Sequence, residues 1–281
     1  MGRSDLPPAG APAGRSRPDG PGAARTRHHW PVPRLFVTRE QLRDGTLAID
    51  GEPGRHLAAS LRTRPGDLIV VVDDAGREHG VRVAAVQPGR VTGTIVWSRA
   101  AAGEPLLHLE VVHALIREMD EVVAALAEMG AAVIRPIVAQ RSVSRPDPVR
   151  AAARTRRWGE IARKAAELAH RARVPAVEPV SDLESALAEL PESSRILACM
   201  VGAPTPLARL DVDRGRPAAV VIGPEGGLVS AEAERLRAAG AELVHLGPRV
   251  LPARRAAVFA AGLLLARAGD LDDAVPAPPA P

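Results

Sequence analysis

The chain has 281 residues, 46% of them apolar, which is enough to bury a sizeable core in one large domain or two modest ones. Its formal charge of +4 and pI near 10.6 favour anionic partners, nucleic acid first among them, although Lys164 is the only lysine and the excess of Arg, Ala, Gly and Pro has the look of GC-rich coding. The single Cys199 excludes an internal disulfide and a multi-cysteine metal site; no run reaches the roughly 18 apolar residues of a membrane span, and the N-terminus lacks the apolar segment of a secretory signal, so a cytoplasmic protein is expected.

Residues 1–31, rich in Pro, Gly, Ala and Arg without periodicity, read as a disordered basic tail, and residues 271–281, ending "AVPAPPAP", as a second. His28 and His29 in the first tail have no cysteine or carboxylate partner, so no metal site is expected there. Between Arg34 and Trp97 the runs "RLFV", "TLAI", "DLIVVVDD", "EHGVRVAAV" and "RVTGTIVW" are separated by Gly, Pro and Asp turn signals. They predict a small all-β barrel over residues 32–100, with a helix at "PGRHLAASLRT". Over residues 106–270, apolar runs such as "LHLEVVHAL", "VIRPIVA", "RILACMV" and "AAVVIG" alternate with amphipathic segments such as "REMDEVVAALAEMG" and "DPVRAAARTRRWGEIARKAAELAHRA". This alternation predicts an α/β domain with a mainly parallel sheet. The arginines of "RAAARTRRWGEIARK" read as a solvated helix face, and Cys199 as a small buried hydrophobe.

"AAVVIG" runs into "PEGG" and then into "LVSAEAERL", with Ser230 expected as the helix N-cap and Glu232 and Glu234 suited to the first turn. In open α/β sheets such a Gly-rich strand-to-helix turn brings backbone close to a ligand. Glycine spacing alone fits a plain tight turn equally well. The stretch is not GxGxxG and lacks the Lys-Ser/Thr ending of a P-loop, which argues against nucleotide hydrolysis and a Rossmann cofactor. About twenty residues on, "ELVHLGPRVLPARRAAVFAAGLLLA" repeats the arrangement of short strand, Gly-Pro turn and helix.

"IGPEGGLVSAEAERL" together with "LGPRVL" resembles the RsmE family, SPOUT-type (trefoil-knot) methyltransferases that methylate N3 of a uridine in small-subunit (16S) ribosomal RNA with S-adenosylmethionine. "RLFV", "HLAASLRTRPGDLIVVVDDAG", "EMGAAVIRPIVAQRS" and "AAELAHRARVPAV" are similar, in order, to further segments of that family. The resemblance implies an N-terminal PUA-like barrel that helps hold RNA, a knotted α/β domain that binds the methyl donor, no metal, and a homodimer with the active site at the subunit interface. By position it implies that Gly223, Gly226, Gly227, Leu246, Gly247, Val250 and Leu251 line the donor pocket through backbone groups, with Glu225 organising the loop. It also implies RNA contacts at Arg34, His56, Arg62, Arg141 and Arg171, though His56 fits a structural turn equally; as basic side chains, Arg145 and Arg173 are further candidates for gripping phosphates.

After "LGPRVL" the family continues R-x-E-T-A, whereas Pro252, Arg254 and Arg255 stand here in place of the Arg, Glu and Thr. Glu118 and Ala125 replace family lysines, and Leu168 replaces a Gln. A glutamate for a lysine beside RNA turns attraction into repulsion. Methylation at N3 of uridine needs that proton removed or the developing charge on O2 and O4 stabilised, so Arg249, Arg254 and Arg255 are the candidate catalytic cations. Arg254 and Arg255 read equally as solvated residues opening the last helix. The departures leave two other readings in view: a paralogue methylating another RNA or a small heterocycle, and an RNA-binding protein with weakened turnover.

Overall fold

The computed structural model describes residues 34–60 and 63–272. The expected tail at 1–31, the tail from residue 273 onward, and Arg62 lie outside the described residues. The first part of the chain forms six strands: β1 (Arg34–Phe36), β2 (Leu42–Arg43), β3 (Thr46–Asp50), β4 (Leu68–Val72), β5 (Arg77–Gln87) and β6 (Arg90–Ala100). They make one sheet in the order β1-β4-β5-β6-β3-β2, in which β1 runs parallel to β4 and the other pairs are antiparallel. Side chains alternate across a strand, so Leu47 and Ile49, Ile69 and Val71, and Val81 and Val83 share one face. There they meet Leu35, Val91 and Leu57 in a single core. Leu57 comes from the expected helical stretch, where α1 (Gly51–Arg55) continues into a wider turn over His56–Ser60.

The second part carries β7 (Leu109–Ala114), α2 (Met119–Met129), β8 (Val133–Ile137), α3 (Pro148–Leu168), β9 (Ala176–Val177), α4 (Leu183–Ala188), β10 (Arg195–Cys199), β11 (Thr205–Pro206), β12 (Ala218–Ile222), α5 (Ser230–Ala238), β13 (Glu242–His245) and α6 (Ala253–Arg267). The strands lie in the order β11-β13-β10-β12-β7-β8-β9, with every pair parallel. Central strands β7 and β12 are buried at every residue, as a parallel sheet covered on both faces requires. Val111 and Val220 point to the core shared with α2, α3 and α6, while Val112 and Val221 point to the one shared with α4 and α5. α3 starts where Asp147 accepts the Arg150 N–H and Pro148 occupies the first turn; α2 stops at Gly130, whose φ of 105° is left-handed.

Two arginines expected to meet RNA are instead internal. Arg34, its side chain 7% exposed, pairs with Glu78 at 2.7 Å and donates from Nε to the Arg171 carbonyl. Arg171, 3% exposed, forms a two-pronged pair with Glu104 (3.0 and 2.7 Å) and donates Nη1 to the carbonyls of Ala127 and Ala131. These contacts occupy Nε, Nη1 and Nη2 of Arg171 and Nε and Nη1 of Arg34, whose Nη2 is buried without a hydrogen-bond partner, so Arg34 and Arg171 join the β1 strand to the end of α3 rather than facing solvent. The same seam is closed by Phe36, whose N–H donates to Glu167 and whose carbonyl accepts from Arg163. Burial raises the Glu167 carboxyl above its ordinary pKa at this seam.

Candidate active site

Parallel strands point the same way, so the carboxyl ends of the neighbouring strands β13, β10 and β12 share one edge of the sheet, and the loops leaving them meet there. They enclose a cavity of about 520 Å³, lined by residues 199–201, 222–228 and 245–253 together with Ala256. This wall brings together Gly223, Gly226, Gly227, Leu246, Gly247, Val250 and Leu251, with Arg249 beside them. The volume falls inside the range of about 300–1,000 Å³ typical of small-molecule sites. Ile222, Leu228, Leu246 and Leu251 supply apolar surface suited to a heterocycle, and the glycines leave backbone groups accessible between them.

The Gly-Pro-Glu-Gly-Gly stretch is a tight turn closed by the Gly227 N–H donating to the Pro224 carbonyl at 2.8 Å. Gly227 has φ 71°, in the left-handed region that a side chain disfavours. Gly223 is a glycine for a different reason: a Cβ there would sit 3.0 Å from the backbone nitrogen of Leu228 and 3.0 Å from its Cγ. Ser230 is not the N-cap of α5. Val229 holds that position, one residue earlier, and valine has no acceptor, so the cap is made from inside the helix by Glu232. The Glu232 carboxylate is buried and accepts from the Val229 N–H at 2.9 Å and from the Gln140 N–H at 2.8 Å. Arg141, next to Gln140, is exposed and donates Nη1 to the Gly226 carbonyl at 2.6 Å.

The three candidate cations are separated by the structure. Arg249 lines the cavity, whereas Arg254 and Arg255 are outside its wall, on the opening turn of α6. Arg254 lies 3.6 Å from Glu121 of α2, and Arg255 is exposed. Pro252 fits its place as the residue before α6: its φ of −54° suits the proline ring, and its carbonyl accepts the N–H groups of Arg255 and Ala256. Glu118 precedes α2 as its N-cap residue. His56 is exposed at the start of the wide turn after α1.

His113 is absent from the candidates drawn from the sequence, and Cys199 is expected there only to pack as a small hydrophobe. His113, fully buried at the carboxyl end of β7, places Nδ1 2.6 Å from the Ala114 carbonyl and Nε2 3.4 Å from that of Ala253, which begins α6 beneath the cavity. Burial lowers its pKa below the usual 6.5, which keeps the ring neutral. Burial also pushes the Cys199 thiol up to about 12, so it lines the cavity as an apolar group rather than a nucleophile. The sequence places Glu232 only as an acidic residue of the first turn; the signal for its capping contact is its position three residues after Val229, which is half of a capping box. Among the described residues no group of His, Cys, Asp and Glu is arranged to hold a metal ion, and no helix is long and apolar enough to cross a membrane.

A parallel α/β sheet with a ligand-sized cavity at its carboxyl edge, walled by two Gly-Pro turns and preceded by a small β domain, defines a methyltransferase of the SPOUT type with a PUA-like companion domain. Residues 103–265 match the RNA methyltransferase domain family, and residues 49–96 match the RNA methyltransferase PUA domain. The chain is 32% identical over 240 residues to the ribosomal RNA small subunit methyltransferase E of Mycobacterium bovis, covering 82% of this chain and 90% of that protein. It is 27% identical over 243 residues to the Bacillus subtilis protein of the same name, covering 81% and 93%. Among solved structures, a ribosomal RNA small subunit methyltransferase E from Neisseria gonorrhoeae bound to S-adenosyl methionine superposes with a TM-score of 0.76 at 27% identity, covering 84% of this chain and 97% of that one. A Legionella pneumophila protein in complex with the bound cofactor SAM gives 0.75 at 25% identity, covering 84% and 97%. The chain belongs to the ribosomal RNA small subunit methyltransferase E family.

Proposed function

We propose that the protein is an S-adenosylmethionine-dependent methyltransferase acting on N3 of a uridine in small-subunit ribosomal RNA. The observation that carries this reading is the cavity of about 520 Å³ at the carboxyl edge of the sheet, walled by the backbone of residues 222–228 and 245–253. Gly223, Gly226, Gly227, Leu246, Gly247, Val250 and Leu251 are the residues we assign to holding the donor. The apolar residues among them take the adenine ring, and the glycine backbone supplies its hydrogen bonds. When bound, the donor supplies an electrophilic methyl group on a sulfonium. The chain's part is to hold the uridine with N3 facing that methyl group, so that the N3–C bond forms as the S–C bond breaks, the N3 proton passes to solvent, and the charge that builds on O2 and O4 is stabilised. Arg249 is the cation we assign to that charge, because it is the one of the three candidates in the cavity wall.

We assign RNA contact to Arg141 and His56, both exposed. A homodimer is supported by large apolar side chains left exposed around the cavity and on α6: Val201 (80%), Val250 (76%) and Phe259 (48%). A cytoplasmic location follows from a ribosomal RNA substrate. The domain division we propose is a PUA-like unit over residues 32–100 and a methyltransferase unit over 106–270. Calorimetric titration with S-adenosylmethionine, then mass-spectrometric nucleoside analysis of small-subunit RNA incubated with the protein, tests the reading. Donor binding with new 3-methyluridine is expected. Binding without 3-methyluridine would point to a different substrate, the reading that Pro252, Arg254 and Arg255 favour; no binding would overturn the donor assignment.

A further inference from the structure

We propose that Glu232 is a positioning residue for the methyl donor, clamping the Gly-Pro-Glu-Gly-Gly loop to the loop between β8 and α3. The proposal rests on the reading that the cavity takes S-adenosylmethionine. The donor loop, residues 223–229, meets its ligand through backbone atoms, so its position depends on what fixes that backbone rather than on side-chain reach. One end is fixed by the covalent continuation of β12. The other end is Val229, and its N–H is held by Glu232 at 2.9 Å. The second oxygen of the same carboxylate takes the Gln140 N–H at 2.8 Å, so the carboxylate is shared between two segments 92 residues apart.

The neighbouring loop is itself stiff. Ala139 donates to Ser142 Oγ, Ser142 donates back to the Ala139 carbonyl, and Arg145 Nη2 bonds the carbonyls of Ala139 and Gln140. Arg141 adds a second tie from this loop, donating to the Gly226 carbonyl at 2.6 Å, with its Cδ 3.2 Å from where a Cβ on Gly226 would lie. The donor loop is therefore tied to this neighbouring loop at its middle by Arg141 and at its end through Glu232. A cap serving α5 alone would need the Val229 bond and not the one to Gln140. Glu232 is 4% exposed, and a carboxylate is the side chain that offers acceptors to two backbone donors at once.

Glu232→Gln tests this with little change of shape. Glutamine keeps the length but turns one oxygen into an NH2 group facing a backbone N–H, so one of the two ties is lost. The expected result is donor affinity about tenfold weaker by calorimetry, with the KM for the donor raised by a similar factor and the KM for RNA unchanged. Arg141→Met, at an exposed side chain, should weaken donor affinity in the same direction, and it carries the test should Glu232→Gln fail to fold. Effects of the two substitutions should combine less than additively, because both release one loop. Donor affinity within twofold of wild type in both variants, with wild type binding normally, overturns the positioning role. Failure of wild type itself to bind the donor overturns instead the reading of the cavity on which the proposal rests.

Discussion

Gly223 and Gly227 stand four residues apart in one loop, yet they should respond to substitution in opposite ways. At Gly223 a Cβ would lie 3.0 Å from Leu228 N, 3.0 Å from Leu228 Cγ and 3.2 Å from Gly227 C, so two of the three contacts are backbone and cannot rotate away. Overpacking of this kind costs about 1–3 kcal/mol and is relieved only by moving the loop that lines the cavity. Even the smallest change, Gly223→Ala, should therefore weaken S-adenosylmethionine binding by about 10- to 100-fold, the equivalent of about 1.4–2.8 kcal/mol. Gly227 has open space around its missing Cβ and a φ of 71°. There the cost is conformational: about 1–2 kcal/mol for an ordinary residue in the left-handed region, and less for Asn, which tolerates it. Gly227→Asn should stay within about threefold of wild type while Gly227→Val loses most binding, and Gly223→Asn should be at least as damaging as Gly223→Ala. Calorimetric titration of the four variants, with a thermal melt on each to confirm folding, measures this. Wild-type affinity in Gly223→Ala, or equal losses in Gly227→Asn and Gly227→Val, would refute the assignment of steric closeness to one glycine and left-handed geometry to the other.

Arg171→Ala should cost about 3 kcal/mol of stability in urea unfolding, because Glu104 (25% exposed) loses its charged partner and keeps only the N–H groups of Ala172 and Arg173, and the carbonyls of Ala127 and Ala131 lose a donor; unchanged stability with weakened RNA binding would return Arg171 to the RNA surface. His113 has a native pKa below its unfolded value of 6.5, so the native state binds fewer protons and stability is lost as pH falls from about 6.5 through the lowered native pKa, by at most about 1.4 kcal/mol per pH unit. Thermal melts between about pH 7 and 5 should show that slope in wild type and a shallower one in His113→Gln, and identical slopes would refute the assignment. The triple change Pro252→Arg, Arg254→Glu and Arg255→Thr is expected to raise the rate of uridine N3 methylation, and a loss of rate would show a site adapted to its present residues. Arg254→Glu alone replaces the 3.6 Å contact with Glu121 by a like-charge pair, but at this half-exposed position the melt should move by less than about 1 kcal/mol equivalent.

Local chemistry written in the sequence determined the elements and their class. Alternation in "TLAI" and "GVRVAAV" specifies strands with one buried face, the run "AAVVI" and the run "LEVVHA", apolar but for Glu110 and His113, specify strands of a covered parallel sheet, and Gly and Pro mark the two turns that wall the cavity. Those signals depend on neighbours within a few residues, which is why they are readable without a fold. What each polar side chain does depends on what folding brings to it. Arg171 and Arg249 are the same residue type in similarly basic stretches, yet one is enclosed by Glu104 and two carbonyls and the other borders the cavity. Ser230 satisfies the local preference for an N-cap, but the cap position falls one residue earlier at Val229, whose N–H is held by Glu232 from inside the helix, while the second oxygen of that carboxylate reaches the amide of Gln140, 92 residues away. Adjacency of β13, β10 and β12, which the chain order does not contain, is what joins three separate loops into one site. Backbone propensity and hydrophobic period act along the chain; burial and hydrogen-bond partnership act across it, and only the tertiary structure decides those.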